Sequence, residues 1–469
     1  MATSFMSLLP HLCTTLETMK FPIKASASYT EMMSRFLSLE MDFLENSKTT
    51  AMRMTRHFAP LMYPGDGKAC ERFIDLIDES TSQTMDIMRE NFLAPLGSFH
   101  QKRRGEIEFL NLFIGDCPCQ DWTVEYDNSK VILDLPSMRV IDISLDAGHD
   151  IDNYTVVFAP RAGHHSNIAE RVAVYMRDHG LPRMALVEQK CAEDIPLYID
   201  GTRHDESFKG QVEQYRQVLE CVRDKTGVPA HMVAICQPGP LLISTLILYP
   251  HLGKTFGSAG SPMHTEAERG VLTDFAHLMG EPFIDYLVSL FAHTIPEGYP
   301  GAGRKTFDGR VQILGFYLLG MDQHMQNFKQ LLDDLRDGKR DSAERQLAFY
   351  QWYNYVHHFP VSFIRDTYRK IFVNNELIHG TLAIGERVIG IKDYPSVPIW
   401  ALGGLRDNIA PPLQATAHLD LIDSVPSEGK LSLLCDGGHM ALFRSREVLA
   451  THYSRVVRFM REHSDRSEE

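Results

Sequence analysis

The sequence predicts an α/β fold, in which a doubly wound and mostly parallel sheet carries an inserted helical cap and a helical N-terminal extension. From about residue 120, short and continuous apolar segments alternate with segments of helical periodicity. This alternation is typical of a parallel sheet that is covered by helices on both faces. It stops near residue 262 and resumes near residue 396, which indicates that a long segment is inserted.

Residues 1–115 are predicted to form the N-terminal extension. Met, Leu and Phe recur there at helical spacing, for example in "YTEMMSRFLSLEMDFLENS". Such an apolar stripe usually packs against the main domain. The chain contains 21 methionines, so attachment of these helices to an apolar lipid or polymer surface is the alternative.

The sheet is predicted from two parts of the chain, residues 116–262 and 396–469. The predicted strands are "TVVFAP" (155–160), "RMALVE" (183–188), "HMVAIC" (231–236), "VPIWALGG" (397–404) and "KLSLLC" (430–435). Ligands of such sheets bind at the carboxyl ends of the strands. The residues that follow each strand are therefore the candidates for a functional site.

Residues 263–395 are predicted to form the cap. This segment is long and aromatic, and it contains stretches of helical length such as "QHMQNFKQLLDDLRDG". Its charged part, "DDLRDGKRDSAER", is interpreted as a solvated helix face and loop. The cap is therefore expected to cover the carboxyl ends of the strands.

Composition excludes several classes of function. The formal net charge is −14 and the sequence has no dense Lys/Arg patch, which argues against nucleic-acid binding. No apolar run reaches about 18 residues, so no transmembrane helix is predicted. The first residues lack the basic segment of a secretory signal. Eight scattered cysteines in such a long chain indicate reduced thiols in a cytoplasm.

The stretch Ala234-Ile235-Cys236-Gln237-Pro238 has the form of a nucleophile elbow, in which a strand ends in a reactive residue and a helix begins at once. Proline is tolerated in the first turn of a helix, so Pro238 is compatible with this turn. The helix N-terminus would help the Cys236 thiol to ionise. A buried core cysteine is the alternative interpretation.

Two further residues favour the elbow. An α/β-hydrolase elbow requires an acid after a later strand and then a histidine, in that order. Asp407 follows the strand "VPIWALGG", and His439 follows the strand "KLSLLC". In this arrangement His439 would accept the thiol proton, and Asp407 would orient the imidazole. The sequence therefore predicts a catalytic triad.

The second loop of the predicted site is "RAGHHS", which follows the strand "TVVFAP". In this fold the oxyanion hole takes one N–H from the residue after the nucleophile and one from this loop, which predicts the backbone of Gln237 and of Arg161. Gly163, His164 and His165 are predicted to line the site. A metal on the histidine pair is the weaker alternative, since adjacent side chains rarely converge on one ion, and no metal is predicted.

These stretches resemble the intracellular polyhydroxybutyrate depolymerases. The similar segments include "AICQPGPLLIS", "GGLRDNIAPPLQATAHL" and "GGHMALFRSREV", and they lie in order between residues 150 and 460. The resemblance implies that Cys236, Asp407 and His439 are nucleophile, acid and base. It also implies cleavage of 3-hydroxyacyl ester bonds on polyester granules stored in the cytoplasm. Polyhydroxyalkanoate synthases are more distantly similar and use such a triad.

The preferred function is therefore depolymerisation of polyhydroxyalkanoate through an acyl-enzyme. The alternatives are an acyltransferase or polyester synthase on the same triad, and a granule-binding protein without activity. No cofactor is expected, but coenzyme A is an alternative to water as the acyl acceptor. The expected partner is a polyester granule or an oligomeric 3-hydroxyacyl ester. The sequence leaves open the monomer chain length and the oligomeric state, including a homo-oligomer.

Overall fold

A computed structural model describes residues 66–114, 130–146, 150–161 and 167–466, together with shorter stretches between residues 32 and 62. The chain forms two compact units. The first lies within Met1–Pro118 and Met321–Asn354, and the second lies within Cys119–Gly320 and Tyr355–Glu469. The predicted division at residues 115, 262 and 395 stays a prediction.

The second unit contains an eight-stranded sheet. Its strands are β1 Val131–Asp134, β2 Met138–Asp142, β3 Thr155–Phe158, β4 Met184–Gln189, β5 Ala230–Ile235, β6 Gly253–Ala259, β7 Ile399–Gly404 and β8 Lys430–Cys435. Their order across the sheet is β1-β2-β4-β3-β5-β6-β7-β8. Strand β2 is antiparallel to both of its neighbours, and all other pairs are parallel. The predicted α/β fold with a mostly parallel sheet is confirmed.

The longer helices are, in chain order, α1 Gly67–Met88, α2 Ala94–Ile114, α3 Asn167–Asp178, α4 Phe208–Thr226, α5 Gly239–Leu248, α6 Val271–Met279, α7 Pro282–Phe291, α8 Gly309–Leu319, α9 Met321–Asp337, α10 Arg340–Tyr353, α11 Val361–Asp366 and α12 Ser454–Glu462. A π-helical segment, Arg89–Leu93, joins α1 to α2, and a second, Thr367–Val373, continues α11. Shorter helices are Glu376–His379, Pro412–Thr416 and Ala441–Arg444.

Short strands complete the second unit. A three-stranded antiparallel sheet joins Ala292–Thr294, Lys305–Phe307 and Phe359–Pro360. Two hairpins are formed by Leu382–Ile384 with Arg387–Ile389 and by Tyr198–Ile199 with Thr202–Arg203. The segment predicted as a helical cap therefore also contains strands.

The core of the second unit lies between the sheet and the helices that pack on it. Val218 of α4 and Leu246 of α5 are fully buried in the same cluster as Phe158 of β3 and Phe256 of β6. All six residues of β5 and of β7 are buried. Strands that are buried along their whole length need a neighbouring strand on each side, and both β5 and β7 are interior strands of the sheet.

Strand β6 does not belong to the predicted strands, although it lies in the middle of the sheet. Its sequence, "GKTFGSA", is rich in small residues with low strand propensity. A Cβ at Gly257 would lie 1.8 Å from the indole of Trp400 on the neighbouring strand. The large Trp400 ring therefore requires a glycine opposite it, and this packing removes the apolar pattern from β6.

The described part of the first unit consists of helices. Helix α2 packs closely on α9, because a Cβ at Gly105 would lie 2.6 Å from the carbonyl carbon of Leu335. An ion pair of 2.9 Å joins Arg340 of α10 to Glu108 of α2. Helix α1 has no buried residue. Part of the segment predicted as the cap, namely α9 and α10, thus lies in the same unit as α2.

Within the described ranges, no helix combines the length and the hydropathy that crossing a membrane requires.

Candidate active site

The site lies where the chain reverses its direction across the sheet. From β3 the chain passes to β4 on one side and then returns to β5 on the other side of β3. Such a switch point opens a crevice at the carboxyl ends of the two strands, and ligands of open α/β sheets bind there. Arg161 follows β3 and Cys236 follows β5, so both residues lie at this crevice.

Cys236 occupies a sharp turn between β5 and α5. Its φ angle is +64°, which is a left-handed conformation that non-glycine residues rarely adopt. Its N–H donates to the carbonyl of Ala259 on the adjacent strand at 2.8 Å, which holds the turn. Pro238 is the N-cap of α5. This geometry is that of a nucleophile elbow.

In the usual elbow a small residue stands two positions after the nucleophile, which is Pro238 here. In this structure the close packing occurs instead at Gly239, one residue later. A Cβ at Gly239 would lie 2.6 Å from the Cβ of Ser261. The small residue that lets the helix approach the neighbouring loop is therefore Gly239, and Pro238 starts the helix. The sequence signal for this was the glycine in "CQPGP".

His439 and Asp407 form a buried pair beside the elbow. Nδ1 of His439 lies 2.7 Å from Oδ2 of Asp407. The other carboxylate oxygen, Oδ1, accepts the N–H groups of Ile409 at 2.9 Å and of Ala410 at 3.0 Å. Both carboxylate oxygens are thus bonded, and the orientation of the imidazole is fixed.

The two loops that carry this pair are bonded to each other. The N–H of Leu405 donates to the carbonyl of Cys435 at 2.9 Å, and the N–H of Arg406 donates to the carbonyl of Gly437 at 3.0 Å. Gly260, with a φ of +57°, leaves room for the histidine ring, since a Cβ there would lie 3.1 Å from Cε1 of His439. The sequence did not identify Gly260, because its role depends on a residue far along the chain.

The electrostatic environment favours a protonated His439. Burial disfavours the imidazolium, but the charges of Asp407 and Cys236 and their hydrogen bonds with the ring outweigh it. Together they hold the pKa of His439 well above its usual value. The arrangement of thiol, imidazole and carboxylate can therefore support an imidazolium next to a thiolate, which is the reactive state of a cysteine nucleophile.

The two residues predicted to supply the oxyanion hole contact each other. The main-chain N–H of Arg161 donates to Oε1 of the Gln237 side chain at 2.9 Å. In this structure the N–H of Arg161 therefore already has an acceptor. It becomes available to a substrate oxygen only when the Gln237 side chain turns away.

The side chain of Arg161 is held by buried contacts, which fix the start of the loop that follows β3. Its guanidinium is buried and forms a 3.0 Å ion pair with the fully buried Glu206. It also donates to Oε1 of Gln189 at 3.1 Å and lies 5.1 Å above the ring of Phe363. Burial alone would raise the pKa of Glu206, but the bond with His204 and the charge of Arg161 lower it, so the pair stays ionised.

The remaining predicted lining residues, Gly163, His164 and His165, lie outside the described residues. Within the described ranges, no group of three or more His, Cys, Asp and Glu side chains has the arrangement of a metal site. Cys236 and Gln237 lie in the wall of a cavity of about 250 Å³. The described site thus consists of a thiol, an imidazole–carboxylate pair and this cavity.

The strand order and the elbow at its switch point define an α/β-hydrolase fold. Residues 260–464 match the family model described as PHB de-polymerase C-terminus. This match supports the resemblance to the polyhydroxybutyrate depolymerases that the sequence indicated, and with it an ester hydrolase. No curated protein matches the chain.

Solved structures of hydrolases are similar to the chain at low sequence identity. They include a soluble variant of monoglyceride lipase from Saccharomyces cerevisiae in complex with a substrate analog, with 10% identity and a TM-score of 0.46 over 74% of this chain and 99% of that chain. A monoacylglycerol lipase from Paleococcus ferrophilus has 12% identity and a TM-score of 0.39 over 70% of this chain and 99% of its own.

Proposed function

We propose that the protein hydrolyses the 3-hydroxyacyl ester bonds of polyhydroxyalkanoate, with Cys236 as nucleophile, His439 as base and Asp407 as the acid that orients it. The observation that carries the proposal is the position of Cys236 on a left-handed elbow in a cavity wall, beside the 2.7 Å His439–Asp407 pair. The match of residues 260–464 to the family model described as PHB de-polymerase C-terminus supports the polyester substrate.

The chemistry has two steps. His439 takes the thiol proton, and the sulfur of Cys236 attacks the ester carbonyl carbon. The tetrahedral oxyanion is stabilised by the main-chain N–H of Gln237 and, after the Gln237 side chain moves, by that of Arg161. His439 returns the proton to the leaving alkoxide, which departs as the free hydroxyl end of the polymer. A thioester remains on Cys236.

The second step releases the acyl group. Water, deprotonated by His439, attacks the thioester and yields the 3-hydroxy acid and the free thiol. Coenzyme A as acceptor would yield its thioester instead. The proposed setting is a cytoplasmic polyester granule.

The experiment measures product release from amorphous polyhydroxyalkanoate granules, with and without coenzyme A. Wild type is compared with Cys236→Ala and with Cys191→Ala, a matched loss of a thiol away from the triad. We expect Cys236→Ala to lose at least about 1,000-fold in turnover and Cys191→Ala to stay close to wild type. Release of 3-hydroxy acid or of its coenzyme A thioester identifies the acceptor. Undiminished release by Cys236→Ala would refute the nucleophile.

A further inference from the structure

The cavity beside Cys236 has walls from both the sheet edge and the segment inserted before β7. Cys236, Gln237, Pro240 and Gly260 form its wall on the side of the sheet. The remaining wall comes mainly from α6, α7, α8 and the π-helical segment Thr367–Val373. A group that enters the cavity therefore lies next to the Cys236 thiol.

The chemistry of the wall is apolar. Its large side chains are Leu272, Phe275, Phe283, Ile284, Leu287, Phe307, Val311, Phe316, Ile364, Ile371, Phe372 and Ile409. Among the described residues that line it, none is charged. The Tyr368 hydroxyl bonds to the main-chain carbonyl of Gly280 at 3.2 Å, which satisfies its donor. Such a wall favours alkyl groups and offers no counter-charge to a carboxylate or phosphate.

The size of the cavity sets the length of the alkyl group. A dry cavity of about 150 Å³ lined by Leu, Ile and Phe holds a benzene molecule, which has about six carbons. In proportion, the volume of about 250 Å³ corresponds to about ten carbons. A 3-hydroxybutyryl unit, whose side chain is a single methyl group, would leave much of this volume empty.

We propose that this cavity binds the alkyl chain of a medium-length acyl group, of about eight to ten carbons, while its carbonyl is attacked by Cys236. The inference rests on the proposed function, since it names the acyl class that the same thiol accepts. Among polyhydroxyalkanoates, it selects those with alkyl side chains over polyhydroxybutyrate. The chemical feature that is recognised is the alkyl chain, whether it comes from a polyester or from a monoacylglycerol.

Binding is measured separately from cleavage with two amides, N-methylbutanamide and N-methyloctanamide, whose binding can be detected without their being cleaved. Each methylene that is moved from water into an apolar wall increases affinity about fourfold. Over four methylenes we expect the octanamide to bind at least about 100-fold more tightly in calorimetric titrations. Equal affinities would overturn the proposal.

Gly315 offers a variant that fills the cavity. It lines the wall, and a Cβ added there would meet no heavy atom within 4 Å. Because Gly315 lies inside α8, leucine also improves helix propensity and the variant is expected to fold. Gly315→Leu should reduce the preference for octanamide by at least tenfold. The matched control is Gly97→Leu, in the interior of α2, where a Cβ also meets no atom within 4 Å.

Cleavage separates the two proposals. Acylation of Cys236 by butanoyl and octanoyl thiophenyl esters is followed by intact-protein mass spectrometry. The rates of cleavage of 3-hydroxyoctanoate oligomers and of monooctanoylglycerol are then compared, to identify which class of ester supplies the alkyl chain. Chain-length selectivity in amide binding without acylation of Cys236 would refute the nucleophile and support the cavity. Acylation of Cys236 without chain-length selectivity, or selectivity unchanged in Gly315→Leu, would overturn the cavity proposal and leave the nucleophile intact.

Discussion

The main-chain N–H of Arg161 donates a 2.9 Å hydrogen bond to the side-chain oxygen of Gln237, the residue that follows Cys236 in the chain. Two residues that are proposed to stabilise an oxyanion are thus bonded to each other. One of the donors is occupied by a neighbouring side chain, and the bond must break before that donor reaches a substrate.

Removal of this acceptor should increase turnover. A hydrogen bond of this kind contributes about 0.5–1.5 kcal/mol, so its loss in Gln237→Ala should raise kcat about two- to tenfold, because the N–H of Arg161 is no longer held. The change leaves the main-chain N–H of residue 237 in place. Steady-state kinetics on a soluble 3-hydroxyacyl ester provide the measurement.

The control is Gln237→Glu, which keeps the size of the side chain and places a carboxylate at the same position. It should bind the N–H of Arg161 more strongly and repel the oxyanion, so kcat should fall below that of wild type. Loss of activity in both variants would contradict the interpretation of this bond as a block.

Asp407 should control the reactivity of the Cys236 thiol through His439. The charge of Asp407 is one of the factors that raise the pKa of His439. Asp407→Asn should therefore lower the pKa of His439 and reduce the population of imidazolium at neutral pH. A pKa lower by about one unit would slow alkylation of Cys236 by iodoacetamide at pH 7 about tenfold.

The measurement is the pH profile of alkylation between pH 5 and 9. In wild type the rate should stay high across neutral pH, and in Asp407→Asn it should be lower at pH 7, because less of His439 is protonated. The same profile in both proteins would show that the carboxylate does not support the imidazolium.

Alkylation should also discriminate between cysteines of the second unit. Burial raises the pKa of Cys191 to about 11, so at pH 7 about one thiol in ten thousand is ionised. Burial likewise raises the pKa of Cys435. We expect Cys236 to react at least about 100-fold faster than Cys191 in the folded protein, measured by quantitative peptide mass spectrometry. Comparable rates under native conditions would argue against an activated thiol.

Stability should fall in mild acid because of His418. This histidine is completely buried, and neither ring nitrogen has a hydrogen-bond partner among the described residues. Burial, together with the charge of His264, lowers its pKa to about 3. Below pH 6.5 the unfolded chain binds a proton there and the folded chain does not, so the free energy of unfolding falls by about 1.4 kcal/mol per pH unit.

Replacement of this imidazole removes the acid effect. Relative to wild type, His418→Phe should gain about 2 kcal/mol more at pH 5 than at pH 8 in urea unfolding, since phenylalanine takes up no proton in either state. His251→Phe, a change at an exposed position, is the surface control. An equal effect of His418→Phe at both pH values would rule out the titration of His418 as the cause.

Much of the site follows from local sequence, because each proposed triad residue comes within four residues of the end of a largely apolar strand. Parallel strands end at the same edge of the sheet, so Cys236, Asp407 and His439 are brought together by topology. For these residues, the spacing and the type of element were sufficient.

Other features depend on contacts between distant parts of the chain and have no local pattern. Strand β6 lost its apolar pattern because Gly257 accommodates the ring of Trp400, which lies on another strand. The bond between Arg161 and Gln237 depends on a side-chain rotamer in the folded site. Grouping of α9 and α10 with α2 requires Gly105 to meet Leu335, a contact across almost half of the chain.

At position 236 the left-handed backbone favours glycine for stability, whereas the proposed reaction requires the cysteine thiol. Glycine adopts a φ of +64° without the steric cost that a Cβ brings, so Cys236→Gly would relieve that cost. A directed-evolution campaign that scores only thermal resistance would therefore tend to erase the thiol. A campaign that aims for a durable biocatalyst must screen for turnover in every round and seek its gain in melting temperature elsewhere, for example at His418.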